Sequence, residues 1–385
     1  MRIFEVIESS TNLSVPTSRT WYRNLYESLV EMGHDVVLFS AEEGRRAMQR
    51  NDRRARADFS EKLLNNFRCE HAKKPFDLFF AYLMDGMVET GVIDEIRKTG
   101  VPTCNFSCNN THQFYLVAEL SLHFDYNLHS EKDAREKFLA IGANPVWWPM
   151  AANPRYYKPY DVPRTIDVSF VGENYAKRPY YIWNLLENAI DVHVYGPGWS
   201  RSQGGFKGRL IQPLRQARTW FRALASVSTE ERALYSAQVA YLAFCDRLRW
   251  KYEENLHLPL SDEEMVLKHS ESRISLGFLE VFDRHDPSAI TKQHVHLREF
   301  EAPMSGALYM TGFCEELEEF YELDKEVVIY RNEYELLNKV GYYLSRPVEA
   351  ERVRQAGTKR AQECHTYQKR FTNLFDRIGL SGRLK

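Results

Sequence analysis

The sequence predicts an α/β chain built as two similar halves that face each other across a cleft. Short apolar strands alternate with helical periodicity up to residue 145, five prolines crowd 145–164, and the strand, glycine, helix grammar then restarts at Asp167. A length of 385 residues suits two domains, and 44% hydrophobic with 13% aromatic residues is enough to fill two cores and excludes a disordered or collagenous chain. The 51 basic and 53 acidic residues leave a net charge of −2, so no global field favours nucleic acid or a membrane, and any anion specificity must be local.

The elements follow in order. Arg2 to Ile7 reads as an apolar strand and Glu8 to Arg19 as a polar loop. Thr20 to Glu31 is a helix with Trp21, Leu25, Leu29 and Met32 at helical spacing, and Val36 to Phe39 is a second strand after Gly33-His34. This βαβ unit is followed by a strand at Leu78 to Ala81, a helix around Met87 to Lys98 and a strand at Val101 to Phe106. A further strand at Tyr126 to His129 leads into a helix that begins at Ser130 and stops near Gly142. The prolines at 145, 149, 154, 159 and 163 mark a linker. Beyond it come strand Asp167 to Val171, Gly172, helix Tyr180 to Asn188, strand Val192 to Tyr195 and the turn Gly196-Pro197-Gly198; the tail from Glu326 reads as strand and three helices. A parallel sheet in each half places sites outside the carboxyl ends of its strands.

Residues 201–260 break this rhythm. Arg201, Lys207, Arg209, Arg215, Arg218 and Arg222 precede any acid, and Leu210, Leu214, Ala217, Phe221 and Leu224 recur at helical spacing. An inserted helix with solvated arginines is the simpler reading; peripheral contact of 201–222 with an anionic lipid surface is the functional one. The arginine run at 45–56 reads as a solvated helix face. No apolar run approaches the roughly 20 residues of a membrane span and no secretory signal precedes the first charges, so a cytoplasmic protein is expected. The six cysteines are scattered without paired units and read as reduced packing residues, and His294-Val-His296 reads as two structural histidines.

Two segments of the second half carry candidate chemistry. In Val168 to Arg178 a strand meets Gly172, Glu173 and then the pair Lys177-Arg178 at the mouth of a helix, where cations and free N–H groups suit a diphosphate. In Leu297 to Thr311, Glu299 and Glu301 are acids of the kind that accept hydrogen bonds from a ribose diol. Arg298 offers a planar fork for phosphate, and Ser305-Gly306 permits close backbone approach to a ligand. Of the two glutamates, Glu299 reads as the ordinary surface acid.

The set VSFVGENYAKR at 168–178, VYGPGW at 194–199, LREFEAPMSGALYMT at 297–311, KEVVIYRNEYELLNKVGYYL at 325–344 and AGTKRAQECHTYQKR at 356–370 resembles the spore maturation protein CgeB-like family, within the group-one glycosyltransferases of GT-B fold. GHDVVLF at 33–39 and the region 125–160 resemble it more loosely. The resemblance implies a GT-B fold of two Rossmann-like domains facing a cleft, with a helical insertion in the second. Residues 1–150 would hold an acceptor and 165–358 a nucleotide-sugar donor, with the insertion at 201–260; 359–385 would form a helix returning to the first domain.

The implied donor is UDP- or GDP-linked. Gly172, Lys177 and Arg178, with Glu173 and Gly196 beside them, match the diphosphate-facing loop; Glu301 matches the ribose-contacting glutamate, and Ser305 and Gly306 match the adjoining turn. The family's other motif glutamate, eight positions earlier, falls on Gln293, which keeps an amide but loses the charge. Transfer develops negative charge on the leaving phosphate, for which Lys177, Arg178 and Arg298 are the candidates. A general base for the acceptor would come from His112 or Asp85, with Asn109, Asn110, Thr11 and Asn12 on the acceptor side. No Asp-x-Asp triplet occurs anywhere in the chain, so no metal is expected and no cofactor beyond the nucleotide-sugar substrate. The rival readings are a GT-B epimerase or hydrolase, a non-catalytic nucleotide-binding protein, and an interaction scaffold that binds no nucleotide.

Overall fold

The computed structural model describes residues 1–9, 19–200, 229–282 and 290–383. Thr11, Asn12 and the basic stretch 201–222 lie outside them.

The first half is a six-stranded parallel sheet of β1 (Arg2–Ile7), β2 (Asp35–Ser40), β3 (Leu78–Ala81), β4 (Thr103–Ser107), β5 (Tyr126–His129) and β6 (Pro145–Trp147), in spatial order β2-β1-β3-β4-β5-β6. Alternation along β1 sorts its side chains: Ile3 and Ile7 pack on one face with Leu25, Leu78 and Phe80, while Phe4 and Val6 pack on the other with Phe59, Phe67 and Phe79. The proline-rich stretch expected to be linker begins as a strand, because Pro145 opens β6 at the sheet edge, where its missing N–H costs nothing. The arginine run also differs from the expected single helix face. Asn51 is left-handed at φ 50° and Asp52 caps the N–H groups of Arg54 and Ala55, so two helices, Glu42–Arg50 and Arg53–Lys73, replace one.

The second half repeats the plan with β7 (Ile166–Val171), β8 (Val192–Tyr195), β9 (Leu256–His257), β10 (Ser272–Leu276), β13 (Tyr309–Gly312) and β14 (Val328–Tyr330), in order β14-β13-β10-β7-β8-β9. A hairpin of β11 (Glu280–Phe282) and β12 (Ile290–Gln293), absent from the sequence reading, follows β10. Strand order reverses between β1 and β3 in the first sheet and between β7 and β10 in the second, and those two crevices are where sheets of this kind accept ligands.

The chain then crosses back. The helix Tyr367–Arg377 buries Tyr367, Phe371, Leu374 and Phe375 against the first half's core. The crossing is fixed by the Trp148 indole donating to Arg370 O at 2.9 Å and by Arg370 Nε donating to Pro149 O at 3.1 Å. Among the described residues no helix is long and apolar enough to cross a membrane.

Candidate functional site

At the carboxyl end of β7 the backbone closes tightly on itself. Gly172 N donates to Tyr195 O at 2.9 Å, and the Trp199 indole donates to Gly172 O at 2.7 Å. Gly196 is at φ 151°, and a Cβ there would stand 2.1 Å from Gly172 O. The two glycines thus face one another where β7 and β8 end.

The cations that follow have different tasks. Arg178 is 7% exposed; its fork donates to Glu173 O and Phe278 O, both at 3.1 Å, and to the Tyr175 hydroxyl at 2.7 Å, with the guanidinium 3.8 Å above the Tyr175 ring. It ties the loop after β7 to the loop after β10, so the expectation of a guanidinium presented to phosphate is corrected: the group is committed to carbonyls and to an aromatic face. Lys177 is exposed at the start of the helix Arg178–Glu187 and is the cation of the pair that solvent reaches. Glu173 is exposed as well, and its carbonyl is what Arg178 holds.

The helix Arg298–Met304 carries both acids. Glu299 is 1% exposed, not a surface acid: it accepts from the Tyr309 hydroxyl at 2.8 Å and from His296 N at 2.7 Å, and burial lifts its carboxyl to about 7. Glu301 is 3% exposed, beside the Tyr157 hydroxyl and 3.5 Å from Arg298; burial raises its carboxyl too, against the opposing pull of Arg298. The Ser305-Gly306 turn packs against other parts of the chain. Ser305 Oγ donates to Glu301 O at 2.7 Å, and a Cβ on Gly306 would meet Pro159 at 2.9 Å, so the residue gives room to the connector between the halves.

In the first half, Asp85 is not presented as a base. Its two carboxylate oxygens accept from Glu119 N at 3.0 Å and Leu120 N at 2.8 Å, and burial raises its carboxyl. Asn110 is likewise turned inward, accepting from Ser107 Oγ at 3.1 Å, and Asn109 takes the left-handed turn at φ 62° that opens the short helix Asn110–Gln113. That helix brings His112 out of the first half to the second, where its ring stacks on His294 at 5.8 Å; His294 in turn lies 4.2 Å from His296. Burial, then the nearby His294 and Arg178, drives the His296 imidazole well below its ordinary value. The two histidines read as structural from the sequence follow β12 and stand at the gap between the halves. Beside them opens a pocket of about 340 Å³ whose wall includes Thr111 and Glu131 from one half and Gln293, His294 and Glu316 from the other. Glu131 escaped the sequence reading; the signal available for it was its place directly after β5, at a strand's carboxyl end.

Two parallel sheets of six strands, joined by a crossing helix and facing loops, define the GT-B class. Solved structures share it end to end: sucrose-phosphate synthase from Thermosynechococcus elongatus (13% identity, TM-score 0.58, covering 98% of this chain and 99% of that one), a glycosyltransferase from Rickettsia africae (11%, 0.57, 99% and 99%) and Anabaena HepE in complex with UDP and glucose (11%, 0.55, 98% and 99%). At such identities the likeness is one of fold. The glycosyl transferase-like family matches residues 178–376, just over half of the chain, and the chain belongs to that family. No curated protein sequence matches it.

Proposed function

We propose that the protein transfers a sugar from a nucleoside-diphosphate donor, UDP- or GDP-linked, to an acceptor hydroxyl, and that within its family it stands with the CgeB-like group whose motifs it carries. The observation that carries the reading is the meeting of His112 with His294 across the gap, where His294 N donates to Leu279 O in the loop after β10. HepE, a solved relative in fold, forms a complex with UDP and glucose, which supports a donor of that class. The anomeric C–O bond to the diphosphate breaks, and a new C–O bond forms to the acceptor oxygen. The acceptor's proton passes to a base, for which His112 is the exposed titrating group on the first half's side. Lys177 balances charge developing on the departing diphosphate and Glu301 accepts from the ribose, so the proposed reaction uses no metal. Gln293, lining the gap pocket where the family's motif has a glutamate, favours one alternative, a protein that binds the donor without transfer.

The test is thermal stabilisation by UDP, GDP, ADP, CMP and TDP, followed by release of nucleoside diphosphate from the sugar donor of whichever base responds. Binding raises the melting temperature by mass action. Lys177→Ala and Glu301→Ala are expected to abolish most of the shift; an unchanged shift in both removes the donor-site assignment. Binding with no release under any acceptor leaves the binding-only alternative.

A further inference from the structure

Glu131 is 1% exposed and its carboxylate is fully spoken for. One oxygen accepts from Asn109 N at 2.5 Å and Ser130 Oγ at 2.9 Å, the other from Asn110 N at 2.6 Å and Thr111 N at 3.3 Å. Three consecutive main-chain N–H groups therefore converge on one side chain, and they are the three residues leading into His112. Lys137 Nζ donates to Thr111 O from the other side, and Gln113 N donates to Asn109 O at 2.8 Å, so the whole turn is clamped. The next residue faces the opposite way. Lys132 N donates to Glu316 Oε1 at 3.2 Å, its ammonium pairs with Glu319, and both acids belong to the second half; the Trp147 indole reaches the same Glu316 oxygen at 3.2 Å. Adjacent residues thus grip the His112 turn and the partner half.

We infer that Glu131 is the positioning residue of this site, holding the His112 turn at the distance at which its ring meets His294, and that with Lys132 it makes closure of the two halves and placement of His112 a single event. The inference rests on the transfer reading for its effect on turnover and on geometry alone for its effect on the turn. A carboxylate is the group that can accept from all these donors at once. Glutamine in its place points an NH2 at amide N–H groups, and aspartate keeps the charge but withdraws it by one methylene.

Glu131→Gln, Glu131→Asp and His112→Ala are compared with the parent, and Glu131→Gln is also combined with His112→Ala. Measured are amide hydrogen exchange at 109–111, the His112 ring titration by NMR, the dissociation constant for UDP, and UDP release from UDP-glucose. Glu131→Gln is expected to speed exchange at least about tenfold and lower kcat by about 10²-fold, the scale of a misplacement near 1 Å, with UDP affinity unchanged within about twofold. Glu131→Asp falls between. On the His112→Ala background Glu131→Gln adds nothing to the loss of kcat, a non-additivity that a general folding defect would not produce. Full additivity, or parental exchange and His112 titration in both Glu131 variants, overturns the inference. If the parent releases no nucleoside diphosphate from either UDP- or GDP-linked sugar donors, the transfer reading fails by itself while exchange and ring titration still judge Glu131.

Discussion

The two crevices are walled by different means. In the second half, backbone carbonyls are closed on or tied down: Gly196 packs against Gly172, an indole donates to Gly172 O, and a buried guanidinium staples Glu173 O to Phe278 O. In the first half, side-chain acceptors reach for main-chain N–H groups. Asn105 exchanges two bonds with Leu83, Asp85 takes Glu119 and Leu120, and Glu131 takes 109–111. A wall of the first kind has no spare volume. One of the second kind tolerates bulk but depends on the identity of each acceptor. The side proposed to meet the donor diphosphate has the rigid form; the side proposed to meet the acceptor has the adjustable one.

The harshest test of the rigid wall is Gly196→Ala. A methyl 2.1 Å from a carbonyl oxygen, on a residue at φ 151°, forces the β7 and β8 loops apart. A loss of more than about 4 kcal/mol is expected, since backbone clash and strain act together, read by urea unfolding. A loss under about 1 kcal/mol would mean that the wall gives.

Arg178 and Lys177 come next, because adjacent cations should respond oppositely. Arg178→Met leaves two carbonyls and a tyrosine hydroxyl without their donor, for a cost of about 3 kcal/mol. Lys177→Met, at an exposed position, should stay within about 0.5 kcal/mol. Equal losses of stability would erase the division of labour between them.

That division was invisible in the sequence for a physical reason. Lys-Arg after a strand and glycine marks a cationic helix mouth, which is there; which cation turns inward depends on Phe278 O, about 100 residues away and brought close only by the β7–β10 pairing. Strands β1 and β3 were legible because they are short, mostly apolar runs. Glu299 was misjudged because its burial comes from Tyr309 and His296, contacts of tertiary origin, and Gly306 because its neighbour is Pro159 in the connector. Both errors assign to a ligand, or to water, space that another part of the chain fills.

Glu299 extends the comparison to pH. Its carboxyl at about 7, against an ordinary 4.5, means the folded state binds the extra proton between those values, so this group's contribution to stability is greatest below pH 4.5 and falls as pH rises toward 7. The span corresponds to something on the order of 3 kcal/mol. Glu299→Gln should flatten that slope in unfolding curves taken at pH 5 and pH 8; a slope as steep as the parent's would place the titration elsewhere.

A gain rather than a loss is expected at Glu5, the exception to the first half's pattern of satisfied acceptors. It is 0% exposed in β1, next to the first crevice, and both carboxylate oxygens lack a hydrogen-bond partner among the described residues. Burial holds its carboxyl well above 4.5, so its contribution, like that of Glu299, worsens with rising pH. Glu5→Met keeps the volume and removes the buried polar group, which predicts a gain of about 1–2 kcal/mol at pH 8 that shrinks toward pH 4.5. A gain would make Glu5 a stability cost carried at the crevice where the acceptor is proposed to bind, in keeping with strain retained near functional sites. A loss at pH 8 would mean instead that the carboxyl has a partner in the folded protein, and β1 would then join Asn105, Asp85 and Glu131 as a strand whose side chain holds the first wall in place.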